Sequence, residues 1–258
     1  MSKLIIAEKP SVAKSIASAL GASSRADGFY EGNGLLVSWR VGHLVSPMDA
    51  GGYDERFKKW RYDDLPILPE PFRYVLAPGK EDAFENLRAL MDRPDVDTIV
   101  NACDAGREGE LIFRYIYSYL ECRTPFVRLW ISSLTDRAIR EGLQHLRPGN
   151  EYDNLYLSAK ARSEADWIVG INASQALAVA AGRGVWSLGR VQTPTLAIIC
   201  SRYLENKAFK PATYFRLKLS TAKEGTEFTV LSTEKFDGRE KAEAARAEVI
   251  GVRTVRVV

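Results

Sequence analysis

Short apolar runs alternating with stretches of helical spacing dominate the first half of the chain. Lys3 to Ala7 is a compact apolar run that reads as a buried strand, of the kind found in parallel sheets covered on both faces. Glu8-Lys9-Pro10-Ser11 breaks it, and Val12, Ile16 and Leu20 then recur at helical spacing, so a strand–turn–helix unit opens the protein. Gly28 to Leu44 carries short β-rich runs around Asn33-Gly34, a hairpin signal. Proline and charge dominate Asp49 to Lys80, which predicts irregular surface with little regular structure. A second buried strand is expected at Thr98 to Ala102, with a helix through about Glu121 after it. A third strand covers Phe126 to Ile131, and Ser133 or Thr135 caps a helix running through Leu146. This alternation implies an α/β layer with mainly parallel strands.

Pro148-Gly149 marks a boundary. Helical patterns follow at Tyr152 to about Ala181 and at Val191 to Leu204. Beyond Pro211 the spacing changes again: Tyr214 to Leu219, Glu227 to Leu231 and Arg253 to Val258 read as strands. The chain stops inside that last pattern, so it is expected to be part of a longer protein. No internal repeat or low-complexity segment interrupts the sequence.

Composition changes little in this picture. With 46% hydrophobic and 27% charged residues among 258, the chain reads as a soluble globular protein large enough for more than one core. A formal net charge of +3 implies no nucleic-acid partner by itself; only a local basic surface would. Cys103, Cys122 and Cys200 are scattered and form no CxxC pair, which argues against a disulfide framework or zinc ribbon and suits a reducing cytoplasm. The apolar run near the N-terminus is too short for a signal segment, and nothing approaches the ~20 apolar residues that span a bilayer. A cytoplasmic location without membrane association is therefore expected.

The candidate chemistry lies where putative parallel strands end. Glu8 follows the first and Asp104 the second, and in open α/β sheets the working crevice lies outside those carboxyl ends. Glu108 sits one helical turn beyond Asp104. Such acids suit Mg²⁺, a hard ion that takes a few carboxylates and several waters and neutralises charge on a transferring phosphoryl group. Lys9 and Arg107 add positive charge beside the acids, which suits a phosphodiester. Each residue also has a plainer reading: Asp104 as a helix cap, Glu8 as a solvated strand end, and Cys103 as a small buried apolar residue.

Glu8-Lys9-Pro10-Ser11 together with the Asp104–Glu110 sequence DAGREGE resembles the Toprim domain of type IA DNA topoisomerases, of the topoisomerase III kind. The family signature is a glutamate followed far downstream by D-x-D-x-E-G. The resemblance assigns general acid/base and metal roles to Glu8 and makes Asp104 and Glu108 further metal ligands for Mg²⁺; Lys9 and Arg107, the cations beside these acids, join Glu8 as catalytic candidates. Gly106 stands where the family has its second aspartate, which removes one expected ligand. Ser187 to Thr195, SLGRVQTPT, resembles the family's S-x-G-R-V-Q-[ST]-P segment, which contacts DNA. There Gly189 permits close backbone approach, Ser187, Gln192 and Thr193 offer hydrogen bonds, and Arg190 grips a phosphate near free N–H groups at a helix start. The plainer reading is a capped helix with a solvated arginine.

Ala161 to Trp167 with Gly170-Ile171-Asn172 looks like the family's helix before that motif. Arg162 is the expected backbone contact, Asp166 could steer an arginine, and Trp167 is assigned to the core. Phe57 to Tyr62 interleaves basic and aromatic residues, as single-strand binders do, so Trp60 is a stacking candidate; a small satellite core explains it equally well. Gly42-His43-Leu44 and Leu129 to Thr135 also match family segments, with His43 either reaching the acids or serving structure.

The resemblance implies an α/β Toprim (Rossmann-like) domain at 1–149, a helical DNA-binding segment at 150–211 and the start of a β-rich arch domain at 212–258. It further implies single-stranded DNA as partner, no nucleotide cofactor, and a monomer. Family members cut one strand through a phosphotyrosine bond, pass another strand and reseal without ATP. Their nucleophile lies in a T-Y-P-R-T-like motif. Tyr152, Tyr156 and Tyr203, like the other tyrosines, lack that context, so this chain alone is expected to be inactive in cleavage. Two other classes remain open: a Toprim metal-dependent phosphodiesterase or primase-like enzyme, and a noncatalytic single-stranded DNA-binding module.

Overall fold

The structure is a computed structural model that describes residues 1–40 and 42–252. Two compact units divide the chain, residues 1–194 and 195–258.

A seven-stranded sheet organises the first unit. In chain order its strands are β1 (Ser2–Ala7), β2 (Ser24–Ala26), β3 (Phe29–Gly32), β4 (Leu35–Trp39), β7 (Val96–Ala102), β8 (Phe126–Arg128) and β9 (Arg147–Pro148). Across the sheet they run β2-β3-β4-β1-β7-β8-β9. β4, β1, β7 and β8 are mutually parallel, and the edges are antiparallel. Along β1, Leu4 and Ile6 join one core while Ile5 and Ala7 join another. A strand buried on both faces cannot alternate with polar residues, which is why its sequence is a continuous apolar run.

Helices cover each face. α1 (Pro10–Leu20) and α5 (Asp136–Gln144) contribute Ala13, Ile16, Ala17 and Ile139 to one core. α3 (Glu81–Met91) and α4 (Arg107–Tyr119) contribute Phe84, Leu87, Leu111 and Ile116 to the other. Local signals fix the joints. Asn33 and Gly34 both take positive φ between β3 and β4, the two-residue turn whose twist matches a hairpin. The Asn33 amide also donates to the carbonyls of Leu20 and Gly21, ending α1. Thr135 caps α5, its hydroxyl accepting from the Ala138 N–H at 3.3 Å.

Between β4 and β7 the chain is more ordered than its proline and charge content predicts. β5 (Val45–Pro47) pairs with β6 (Tyr74–Leu76), and α2 (Ala50–Tyr53) with two 3₁₀ turns lies between them. α6 (Asp153–Ala181) then runs for 29 residues, and the Asn172 amide clamps it to the loop before β6 through both backbone groups of Ile67.

α7 (Gln192–Ala208) carries the chain into the second unit. There β10 (Lys218–Lys223) and β11 (Thr226–Leu231) form a hairpin, followed by α8 (Arg239–Val249). Of the strand expected at Tyr214 to Leu219, only Lys218 and Leu219 fall in β10, and Phe215 makes an isolated bridge to Phe236. The hairpin turn Glu224-Gly225, positive in φ at both residues, sets the register further along. The third parallel strand also stops at Arg128 rather than Ile131, because its partner β7 pairs with it only through Asn101. The strand expected at Arg253 to Val258 lies outside the described residues.

Candidate nucleic-acid and metal site

Strand register brings the first site residues together. Ala7 pairs with Ala102 of β7 on one side and with Trp39 of β4 on the other. Three parallel strands thus end at one level, delivering Glu8, Arg40 and the Cys103-Asp104 turn side by side. This is the point where strand order reverses about β1, the usual crevice of an open α/β sheet.

Glu8 is not a solvated strand end. Its side chain is 17% exposed, and Oε2 lies 3.7 Å from the Arg40 guanidinium and 3.4 Å from the Asp104 N–H. Lys9, mostly exposed, reaches Glu8 at 3.8 Å. Arg40 is buried, and two of its guanidinium nitrogens make no hydrogen bond. Beside it is the Cys103 thiol, whose pKa burial pushes up. An inert, buried cysteine fits the plain reading of that residue.

Asp104 is not a helix cap either. α4 starts at Arg107 with Gly106 at the N-cap position and no side-chain cap bond, which leaves the exposed Asp104 carboxylate free of that duty. A buried network holds the turn that carries it. Arg128 donates to the carbonyls of Asn101, Cys103 and Asp104 at 2.6–2.8 Å and pairs with Glu110 at 3.1 Å. Asn101 donates to Glu110, and Arg114 joins Glu110 to Asp153 at the start of α6. Burial lowers the Arg128 pKa, against the smaller opposing pull of Glu110.

Gly109 is required by close approach. A Cβ there would stand 2.1 Å from the Asp104 carbonyl oxygen, a backbone atom that cannot step aside. Gly106 faces open space, and its extended φ of 177° suits any residue. Gly109→Ala is therefore expected to destabilise the protein by ~1–3 kcal/mol, while Gly106→Ala changes stability by less than about 0.5 kcal/mol. Paired thermal melts of the two variants check this.

A cleft of ≈ 560 Å³ opens beside that turn, lined by Asp104, Arg107 and Glu108 together with Arg162, Ser163 and Asp166 of α6. His43 also lines it and meets Glu108 at 2.9 Å, so it reaches the acids rather than serving a buried structural role. Arg190 bonds Asp166 at 2.6 Å, a contact that raises its pKa, and Arg162 lies 3.8 Å from the same carboxylate. The surrounding loop is pinned. Ser174 of α6 bonds both backbone groups of Leu188, Gln192 bonds Ser187, and the Gly189 N–H donates to Thr193. Trp60 stands outside the cleft lining, partly exposed. Trp167 packs edge-on against Tyr53 and Phe72. Among the described residues, no three His, Cys, Asp or Glu side chains converge as a ready-made metal cage. No helix among them is long and apolar enough to cross a membrane.

The Toprim domain family model matches residues 3–134, half of the chain. The chain belongs to the Toprim family. A DNA topoisomerase family model matches residues 150–258. The chain is homologous to bacterial DNA topoisomerase 3. It is 48% identical to DNA topoisomerase 3 of Bacillus subtilis over 219 residues, covering 84% of this chain and 30% of that protein. With a DNA topoisomerase 3 of Bacillus cereus it shares 44% identity over 247 residues, 92% of this chain and 34% of the relative. The full-length topoisomerase I structure from Thermotoga maritima superposes with a TM-score of 0.56 at 25% identity, over 95% of this chain and 37% of that one. The Toprim chain thus spans about a third of the length of the curated relatives it matches.

Arg40 and the Asn101–Glu110–Arg128 network escaped the sequence reading. Their signals were weak: an arginine directly after an apolar strand, an asparagine within one, and a glutamate followed by Leu111 and Ile112.

Proposed function

We propose that this chain supplies the DNA-holding, metal-assisted part of a type IA DNA topoisomerase, which cleaves and reseals single strands without ATP. The observation that carries the proposal is the cleft shared by the Asp104–Glu108 turn and α6, with Arg190 held at its rim. Acids and arginines facing one groove suit a phosphodiester strand far better than a small neutral ligand. Residues 1–149, 150–211 and 212–258 are the proposed Toprim, helical DNA-binding and arch portions.

Within this reading Arg162 and Arg190 grip backbone phosphates, charge-assisted contacts that Asp166 pre-aims. Ser187, Gly189, Gln192 and Thr193 shape the pinned loop against the strand, and Trp60 offers a stacking face outside the cleft. Lys9 and Arg107 add positive potential near the reacting phosphate. Glu8, held by Arg40, is the candidate to hold or release a proton at the leaving oxygen.

The donor set fits a magnesium ion. Asp104 and Glu108 offer hard oxygen ligands in the same cleft, and the open space at Gly106 leaves room for water. One or two carboxylates with several waters is the ordinary magnesium shell. Asp104 and Glu108, with Glu8 adjacent, would hold the ion, which when bound neutralises charge on the phosphoryl group. No tyrosine here has the sequence context of the family nucleophile, so covalent adducts are not expected from this chain alone. Cytoplasmic location and a monomeric state complete the reading.

The test is binding of a fluorescein-labelled single-stranded oligonucleotide as salt is raised. Affinity is expected to fall with a log–log slope of roughly −2 or steeper, at about −0.7 per phosphate contact. Salt-independent binding, or none at low salt, would overturn the proposal.

A further inference from the structure

A second cleft of ≈ 360 Å³ lies at the same edge of the sheet, and Asp104 lines both. Its walls are Val12 and Ile16 of α1, facing Ile131, Ser132, Ser133 and Leu134 after β8. The only charged side chain in this lining is Asp104 itself. That excludes a phosphate as occupant. The space lies within the roughly 300–1,000 Å³ range of small-ligand sites. Aliphatic walls with hydroxyls at one end match a planar base, apolar on its faces and polar at its edge. Duplex DNA, with its bases stacked inside, could not present one.

The segment after β8 has a surface reason to be as it is. Leu134 is 47% exposed, two residues before α5 begins. Ile131 packs on the core from below, whereas Ser132 and Ser133 are exposed. An apolar side chain left exposed at a cleft wall after two serines is what a stacking ledge requires, and the first cleft, lined by acids and arginines, does not use it.

We propose that this second cleft is a nucleobase subsite, receiving one unstacked base of a DNA strand whose neighbouring phosphate lies in the first cleft, beside Arg107 and Arg162. The inference rests on the DNA-binding reading above. Aliphatic walls grip the faces of any base, so the subsite selects an unpaired base rather than a particular sequence.

The probe is a set of single-stranded oligonucleotides, each with one abasic position, titrated against the whole chain by fluorescence anisotropy. One abasic position is expected to weaken binding by roughly 5- to 10-fold, the lower end of the range for a single stacked base, since the walls are aliphatic rather than aromatic. That sensitivity should vanish in Leu134→Ala, which removes the ledge. It should vanish equally in Ser132→Phe, which fills the cleft from an exposed position; circular dichroism verifies that both variants are folded. Normal binding of the intact strand with no sensitive position overturns the subsite, as does sensitivity that survives in both folded variants. Either result leaves the DNA-binding reading intact. Failure to bind the intact strand overturns both.

Discussion

Replacing Glu110 by alanine is expected to destabilise the protein by about 3–5 kcal/mol, a fall in melting temperature of roughly 10 °C for a unit of this size. Glu110 is fully buried, and it faces Arg128 at 3.1 Å and Arg114 at 2.9 Å. Removing the carboxylate leaves the buried Arg128 guanidinium with carbonyl partners but no counter-charge. That penalty, rather than the worth of the pair itself, sets the magnitude. The double variant Glu110→Leu with Arg128→Met removes the unpaired charge but strips the Asn101, Cys103 and Asp104 carbonyls of their donor, so it should recover only part of the loss. Denaturant melts of the two variants decide the matter. A single variant as stable as the parent would mean that the network does not hold the Asp104 turn.

Arg190→Ala is expected to weaken single-stranded DNA binding about ten-fold and to reduce the salt slope by about 0.7, the signature of one lost phosphate contact on a single strand. The arginine is available for exchange because its present partner, Asp166, is part of the cleft lining and only partly buried. On binding, a phosphate replaces a carboxylate of like charge, so the guanidinium keeps its geometry. Asp166→Asn should move affinity the opposite way, since it withdraws the competing anion. Anisotropy titrations at three salt concentrations measure both variants. An unchanged slope in Arg190→Ala would remove that residue from the DNA surface.

The parallel core of the fold was legible because a strand covered on both faces is apolar over most of its length, as Leu4–Ala7 is and as Ile99–Ala102 is apart from Asn101. Asn33-Gly34 and Thr135 were legible because turn and cap chemistry is local. Long-range pairing was not. β5 and β6 are three residues each, one of them a proline, and meet across a loop whose composition reads as irregular. α8 escaped notice because its regular spacing is carried by alanines between charges, a weak apolar stripe. The strand expected at Tyr214 was displaced by a turn at Glu224-Gly225 that outranks alternation in setting register.

The site divides along the same line. Strand ends are readable, so Glu8 and Asp104 were found together. Arg40 was not, since an arginine after a strand ordinarily points to water; only the parallel register of three strands buries it behind Glu8. Trp60, read from composition, stands apart from the cleft that composition was meant to serve.

In the proposed complex a single strand of DNA lies across the sheet edge between the Asp104 turn, α6 and the Ser187–Thr193 loop. Photo-cross-linking of a single-stranded oligonucleotide carrying a photoreactive base at each position in turn, followed by peptide mapping, tests it most directly. Adducts are expected within residues 104–108, 131–134, 162–166 and 187–193. Adducts confined to residues 195–252, with none in those four segments, would contradict it.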